Sequence, residues 1–121
     1  MLDTHALIWA LEGSSRLSKT ARRAIEDADN EILVSAVSAW EIAIKRATGR
    51  LSVPDDLVEA IDEAGFVRRP LGFPEASRLR RLPDHHADPF DRMLICHALE
   101  EHCAIVTRDP QIARYSVVTL W

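Results

Sequence analysis

Apolar residues come along this chain in short bursts whose spacing alternates between extended and helical. MLDTHALIWAL places a very short apolar segment before Asp3, read as the tail of a strand. A short apolar helix follows over residues 5–11, ended by Gly13-Ser14-Ser15. Ser18 is an N-cap candidate for KTARRAIEDA, where Ala21, Ala24, Ile25 and Ala28 fall at helical spacing, and Asp29-Asn30 turns the chain. Residues 31–35 (EILVS) read as a buried strand. In AVSAWEIAIKRATGRL, the residues Ala36, Ala39, Trp40, Ala43, Ile44 and Ala47 predict a helix stopped by Gly49, with Trp40 in the core. Pro54-Asp55-Asp56 opens a helix, DLVEAIDEA, that ends at Gly65, and residues 66–69 predict a short edge strand before Pro70. Pro74 starts EASRLRRL, a helix closed by Pro83. The loop DHHADP leads into a strongly apolar helix, FDRMLICHALEEH. After it come the strand AIVT over 104–107, a turn at Arg108-Asp109-Pro110 with a short helical segment, and a last strand from Val117, Val118, Leu120 and Trp121.

Strands separated by helices predict the α/β class: a three-layer α/β/α sandwich around a mostly parallel central sheet, as a single domain over 1–121. Ligands in such sheets collect at the carboxyl ends of strands, and Asp3 and Asp109 both stand there.

At 47% hydrophobic, the 121 residues can build a core without disulfides. Cys96 and Cys103 form no CxxC pair and no zinc-type cluster. Seven apart on a predicted helix, they read as two buried thiols on nearly one face, in a reducing cytoplasm. MLDTHALIWAL has no basic n-region and no small-residue cleavage site, and no apolar run approaches the ~18 residues that span a bilayer. The expectation is a cytoplasmic protein with no membrane partner. The net charge of −4 has the wrong sign for binding nucleic acid by bulk electrostatics. It leaves room for a carboxylate cluster neutralised by a metal and ringed by basic residues. Basic residues are locally dense at Lys45, Arg46 and Arg50, at Arg68 and Arg69, and at Arg78, Arg80 and Arg81; solvated surface side chains explain each group equally well.

Each acid has a structural explanation beside a functional one. Asp3 precedes a helix and can cap it. Glu41 can pair with Lys45 at i,i+4, yet it sits on a mostly apolar helix where a buried carboxylate needs a partner or a cation. Asp88 and Asp91 stand three apart at a helix start, where the dipole favours acids. Asp109 can be a turn aspartate. Jointly they offer the oxygen ligands a hard divalent cation wants, and packed without one they should repel and raise a pKa.

Four stretches carry a family resemblance. MLDTHALIWAL resembles the opening of PIN-domain proteins, SAVSAWEIAIKRATGRL their second motif, and HHADPFDRMLICHALEEHCAIVTRD their third and fourth, with YSVVTLW closing the match. The resemblance covers nearly the whole chain and is nearest to the VapC-type toxin ribonucleases of toxin–antitoxin pairs. It implies an endoribonuclease using Mg2+ or Mn2+, with Asp3 and Asp91 as principal metal ligands and Glu41 and Asp109 completing the catalytic pocket. It also implies a homodimer, a cognate antitoxin that inserts a segment near the site, and structured RNA such as tRNA as substrate. Asp88 is an extra acid in this pattern, ranked as supporting. Family members usually carry a few more residues before the first Asp, so the first strand is expected to be nearly missing.

Thr4 and Ser38 could orient a carboxylate or a water at the metal, or simply cap helices. Arg92 and Arg108 each neighbour a pocket acid, to contact phosphate or to form a salt bridge. No catalytic role is assigned to His5, expected to pack near the first strand. None is assigned to His85 and His86, expected in a loop facing solvent or RNA, or to His97, expected buried or at a dimer interface. Trp9 is expected at a dimer or antitoxin surface. Two other functions compete. A non-catalytic PIN-like binding module would need one of the four acids lost, and none is. A magnesium-dependent phosphatase or phosphoacceptor receiver would need a DxD-type nucleophile and a late-strand lysine; Asp3-Thr4-His5 is not DxD, and Lys19 and Lys45 lie on early helices.

Overall fold

The computed structural model describes residues 1–49 and 56–121. Arg50 of the first basic group, and Pro54 and Asp55 at the predicted helix start, lie outside the described residues. The elements are α1 (Thr4–Leu11), α2 (Lys19–Glu26), β1 (Leu33–Ser35), α3 (Ala36–Ala47), α4 (Leu57–Glu63), β2 (Val67–Arg69), α5 (Phe73–Arg78), α6 (Pro89–Glu100), β3 (Ile105–Val106) and β4 (Thr119–Leu120). Short 3₁₀ turns cover Leu79–Arg81 and Ile112–Arg114.

Residues 1–3 run between β1 and β3. The Leu2 N–H donates to the Leu33 carbonyl at 3.0 Å, the Asp3 N–H to Val106 at 3.1 Å, and the Val106 N–H to Met1 at 2.8 Å. The sheet therefore reads β2, β1, residues 1–3, β3, β4. Pairing is parallel in β1–β2, in β3–β4 and at the Leu2–Val106 bridge. The predicted near-absence of a first strand is thus a single bridge at the middle of the sheet.

Strand side chains alternate between faces, and here three adjacent pairs divide the core. Leu2, Val34 and Val106 join Leu7 and Trp9 of α1, Ala21 of α2, Ile42 of α3 and Ile61 of α4. Their neighbours Met1, Leu33 and Ile105 turn the other way, onto Leu94, Ile95 and Ala98 of α6, with Ile112 and Tyr115. Helices on both faces of a short parallel sheet make the expected three layers. Each fully buried Leu or Ile contributes about 1.5–3 kcal/mol. Ser18 caps α2 by accepting from the Ala21 N–H at 3.0 Å.

Several expectations are corrected. Trp40 is 56% exposed rather than in the core, its ring edge-on to Phe90 at 4.9 Å. Helix α3 is apolar on most sides, and its buried arc is set by Val37, Ser38, Glu41 and Ile42, leaving Trp40 and Ile44 outside it. Trp9, expected at an exposed binding surface, is buried against Trp121, with rings 5.8 Å apart. Helix α6 ends at Glu100 and His102 turns the chain at φ 51°, so Cys103 shares no helix face with Cys96 and is half-buried. The predicted helix EASRLRRL begins earlier, at Phe73, and passes into the 3₁₀ turn at Leu79. The last strand is confined to Thr119–Leu120, and Val118 is exposed. Among the described residues no helix is long and apolar enough to cross a membrane.

Candidate metal-binding acidic site

Asp3 leaves the middle of the sheet and caps α1, its carboxylate accepting from the Ala6 N–H at 2.6 Å. Burial raises its pKa, and that effect outweighs the opposing hydrogen bonds from Ala6 and Thr107. The next residue, Thr4, donates its hydroxyl to Glu41 Oε2 at 2.5 Å. Lys45, one turn further along α3, pairs with the other Glu41 oxygen. Both the i,i+4 pairing and the link toward Asp3 are therefore present in the buried Glu41. Ser38 lies one turn before it, with its hydroxyl buried and without a hydrogen-bond partner among the described residues.

Asp109 follows β3. Its N–H donates to the Thr107 hydroxyl at 3.0 Å and its carboxylate accepts from the Gln111 N–H at 2.8 Å. Asp91 stands in the first turn of α6, behind the cap residue Asp88, which accepts from the N–H groups of Phe90 and Asp91.

His86 joins these two acids. Its Nε2 lies 3.0 Å from Asp109 Oδ2 and 3.2 Å from Asp91 Oδ2. The Asp88 N–H points at Nδ1 from 3.0 Å, which makes Nδ1 an acceptor and leaves the proton on Nε2, facing the carboxylates. The expectation that His86 meets only solvent or RNA is corrected: its side chain is 7% exposed. The loop turns it inward because the His85 and His86 N–H groups both donate to the Tyr115 hydroxyl, at 3.0 and 2.8 Å.

The electrostatics centre on Asp91. Burial, then the negative charges of Asp88, Glu41 and Asp3, push its pKa to about 7 against the opposing influence of His86. Asp109 shows the opposite balance: although burial pushes its pKa up, bonds from His86 and the Gln111 N–H hold it below the ordinary value. One nitrogen of His86 and one oxygen each from Asp91 and Asp109 lie within 4.8 Å of one another. With Nε2 donating to them, the Asp91 and Asp109 oxygens are the members of that group that suit a hard divalent cation with a partial water shell.

Among the described residues the remaining predicted side chains, of which Arg92 and His5 border the site, form no bond to its four acids. Arg92 pairs with Asp84 at 2.8 Å and donates to the Pro83 carbonyl at 2.8 Å and the His86 carbonyl at 3.4 Å rather than to a pocket acid. Arg108 covers the Trp9 ring at 4.7 Å. His5 is exposed with its ring 5.6 Å from Trp9, and His97 is buried, its Nδ1 2.7 Å from the Ser35 hydroxyl.

A parallel α/β/α sandwich with Asp3 and Asp109 at strand ends and Asp91 at a facing helix start defines a class of acidic-pocket α/β domains. The PIN domain model matches residues 1–118, and the chain belongs to the PIN-domain family. It is 29% identical to Ribonuclease VapC22 of Mycobacterium tuberculosis, over all of this chain and 97% of that one. Its fold is similar to that in the crystal structure of VapBC2 from Rickettsia felis bound to a promoter DNA fragment. That match has a TM-score of 0.72 at 14% identity and covers 98% of this chain and 95% of the other.

Proposed function

We propose that this protein is the toxin ribonuclease of a toxin–antitoxin pair, an endoribonuclease dependent on Mg2+ or Mn2+. The observation that carries the reading is the meeting of Asp3, Glu41 and Asp88 around Asp91 in one electrostatic field, with His86 joining Asp91 to Asp109. The family and the full-length likeness to a VapC ribonuclease support it.

Asp3 and Asp91 serve as the principal metal ligands, supported by Glu41 and Asp109. The ion, when bound, supplies a lowered pKa for the attacking water and charge neutralisation at the leaving oxygen. Glu41, held by Thr4, orients that water. His86, donating from Nε2, positions Asp91 and Asp109 around it. Ser38 offers a free hydroxyl to the same water network, and Asp88 fixes the start of α6. Structured RNA such as tRNA is the substrate, the site of action is the cytoplasm, and the assembly is a homodimer bound by a cognate antitoxin. A VapBC complex among the structural relatives supports the antitoxin.

The test is RNA cleavage with Mg2+, with Mn2+ and with EDTA, for the parent, Asp3→Ala and Asp91→Ala. Cleavage is expected from the parent with metal alone. Cleavage in EDTA, or full activity in both variants, would sink the assignment.

A further inference from the structure

A groove of about 930 Å³ lies beside the acidic pocket, between α5 with its following 3₁₀ turn and the segment around Tyr115. Arg78, Arg80, Arg81 and Arg114 line it, facing one carboxylate, Glu100. Arg78 is paired with that carboxylate. Among the described residues the Arg114 side chain reaches only the His85 carbonyl, at 3.5 Å. Arg80 and Arg81 make no hydrogen bond or ion pair among the described residues. A solvated surface would scatter such charges; here they concentrate in a concavity, in a chain whose net charge is −4. Concave walls of one sign focus the field on a counter-charged ligand.

The groove and the pocket share a wall. The His86 ring faces Asp91 and Asp109, while the adjacent His85 ring packs edge-on to Tyr115 at 5.0 Å inside the groove. The Tyr115 hydroxyl holds both backbone N–H groups. A strand with one phosphate at the acidic site would meet the arginines by following this wall. Guanidinium forks match phosphate oxygens bidentately.

We infer that this groove binds the phosphodiester backbone of the RNA strand flanking the cleaved bond, with Arg80, Arg81 and Arg114 as its phosphate contacts. The inference rests on the ribonuclease reading above. An acidic protein segment would satisfy the same charges, but nothing else in the groove selects one, whereas continuity with the pocket selects RNA.

The experiment uses the full chain and a labelled 20-nucleotide single-stranded RNA with non-cleavable linkages, titrated across a salt series. The double variant Arg80→Glu/Arg81→Glu is compared with Arg80→Lys/Arg81→Lys and the parent. Each lost phosphate contact lowers the slope of log affinity against log salt by about 0.7, so the glutamate variant is expected to lose about 1.4 in slope. The lysine variant keeps the slope. Cleavage of a trinucleotide, which fills the pocket alone, is expected to be unchanged in both variants, as is the melting temperature. An unchanged slope, an equal loss on the trinucleotide, or a parent that does not bind the RNA overturns the groove. So does a glutamate variant that loses hexaglutamate peptide but keeps RNA. Binding is read without cleavage, so a parent that binds with the expected slope yet cuts nothing refutes the ribonuclease reading alone.

Discussion

His86 holds two carboxylates with one nitrogen, and its neighbour His85 serves a different cavity. DHHADP displays both histidines before a helix-start acid, which is a signal that one of them reaches the pocket. Nothing local says which, because the choice is made by Tyr115, 29 residues away from His86. The positions of Asp3, Asp91 and Asp109 were legible because each stands at the end or start of an element, whereas Glu41, in the middle of α3, stood out only as a carboxylate among apolar residues and by the family order of the motifs. Asp91 carries the cost of the cluster. Replacing it by Asn removes the repelled charge and keeps the shape. Asp91→Asn is therefore expected to raise the metal-free melting temperature at pH 7.5 by several degrees, since 1 kcal/mol corresponds to roughly 4 °C in a chain of this size. The same change is expected to abolish Mg2+-dependent cleavage. Differential scanning calorimetry in EDTA checks the first part, and a lower melting temperature would count against charge repulsion at this position.

Helix α3 shows where element-level reading stops. Its ends were legible: the prediction begins at Ala36, and Gly49 stands at φ +68° just past its end. Its buried arc was not, because alanines and isoleucines surround it and tertiary contacts choose among equivalent stripes. Sequence periodicity placed Trp40 inside; packing placed Val37, Ser38, Glu41 and Ile42 inside instead. The helix start is fixed by Ser35, whose buried hydroxyl accepts from the Val37 N–H at 3.0 Å and lies 2.7 Å from His97 Nδ1. Ser35→Ala removes the cap and leaves the His97 nitrogen without that partner. The expected loss is about 1–3 kcal/mol in urea unfolding. A variant as stable as the parent would show that neither bond matters to folding.

At the scale of the whole molecule, acid clustering is expected to govern how stability responds to pH and to added metal. The Asp91 carboxyl ordinarily titrates at 3.8, and in the folded protein at about 7. Below pH of about 4 it is protonated in both states and costs nothing. Between about 4 and 7 the unfolded chain releases the proton while the folded chain retains it, so stability falls across that window and levels off above it. The raised pKa of Asp3 acts in the same direction. The lowered pKa of Asp109 acts the other way, favouring the fold above its unfolded pKa and losing effect as pH falls through its folded value. Metal-free protein is expected to melt lower at pH 7.5 than at pH 5, and millimolar Mg2+ to restore stability more at pH 7.5. Equal melting at both pH values with no response to Mg2+ would contradict this account.

The middle of the sheet is three residues long, and the third of them is Asp3. Both hydrophobic layers close over that segment, through Met1 on one side and Leu2 on the other. The carboxylate thus sits on backbone whose amides are tied to β1 and β3 together. Native-state breathing at the rims, in α2, α4 or β4, leaves its position undisturbed. Loss of the geometry at Asp3 and loss of the fold are then expected to be a single cooperative event, so hydrogen exchange at the Asp3 N–H should require global unfolding.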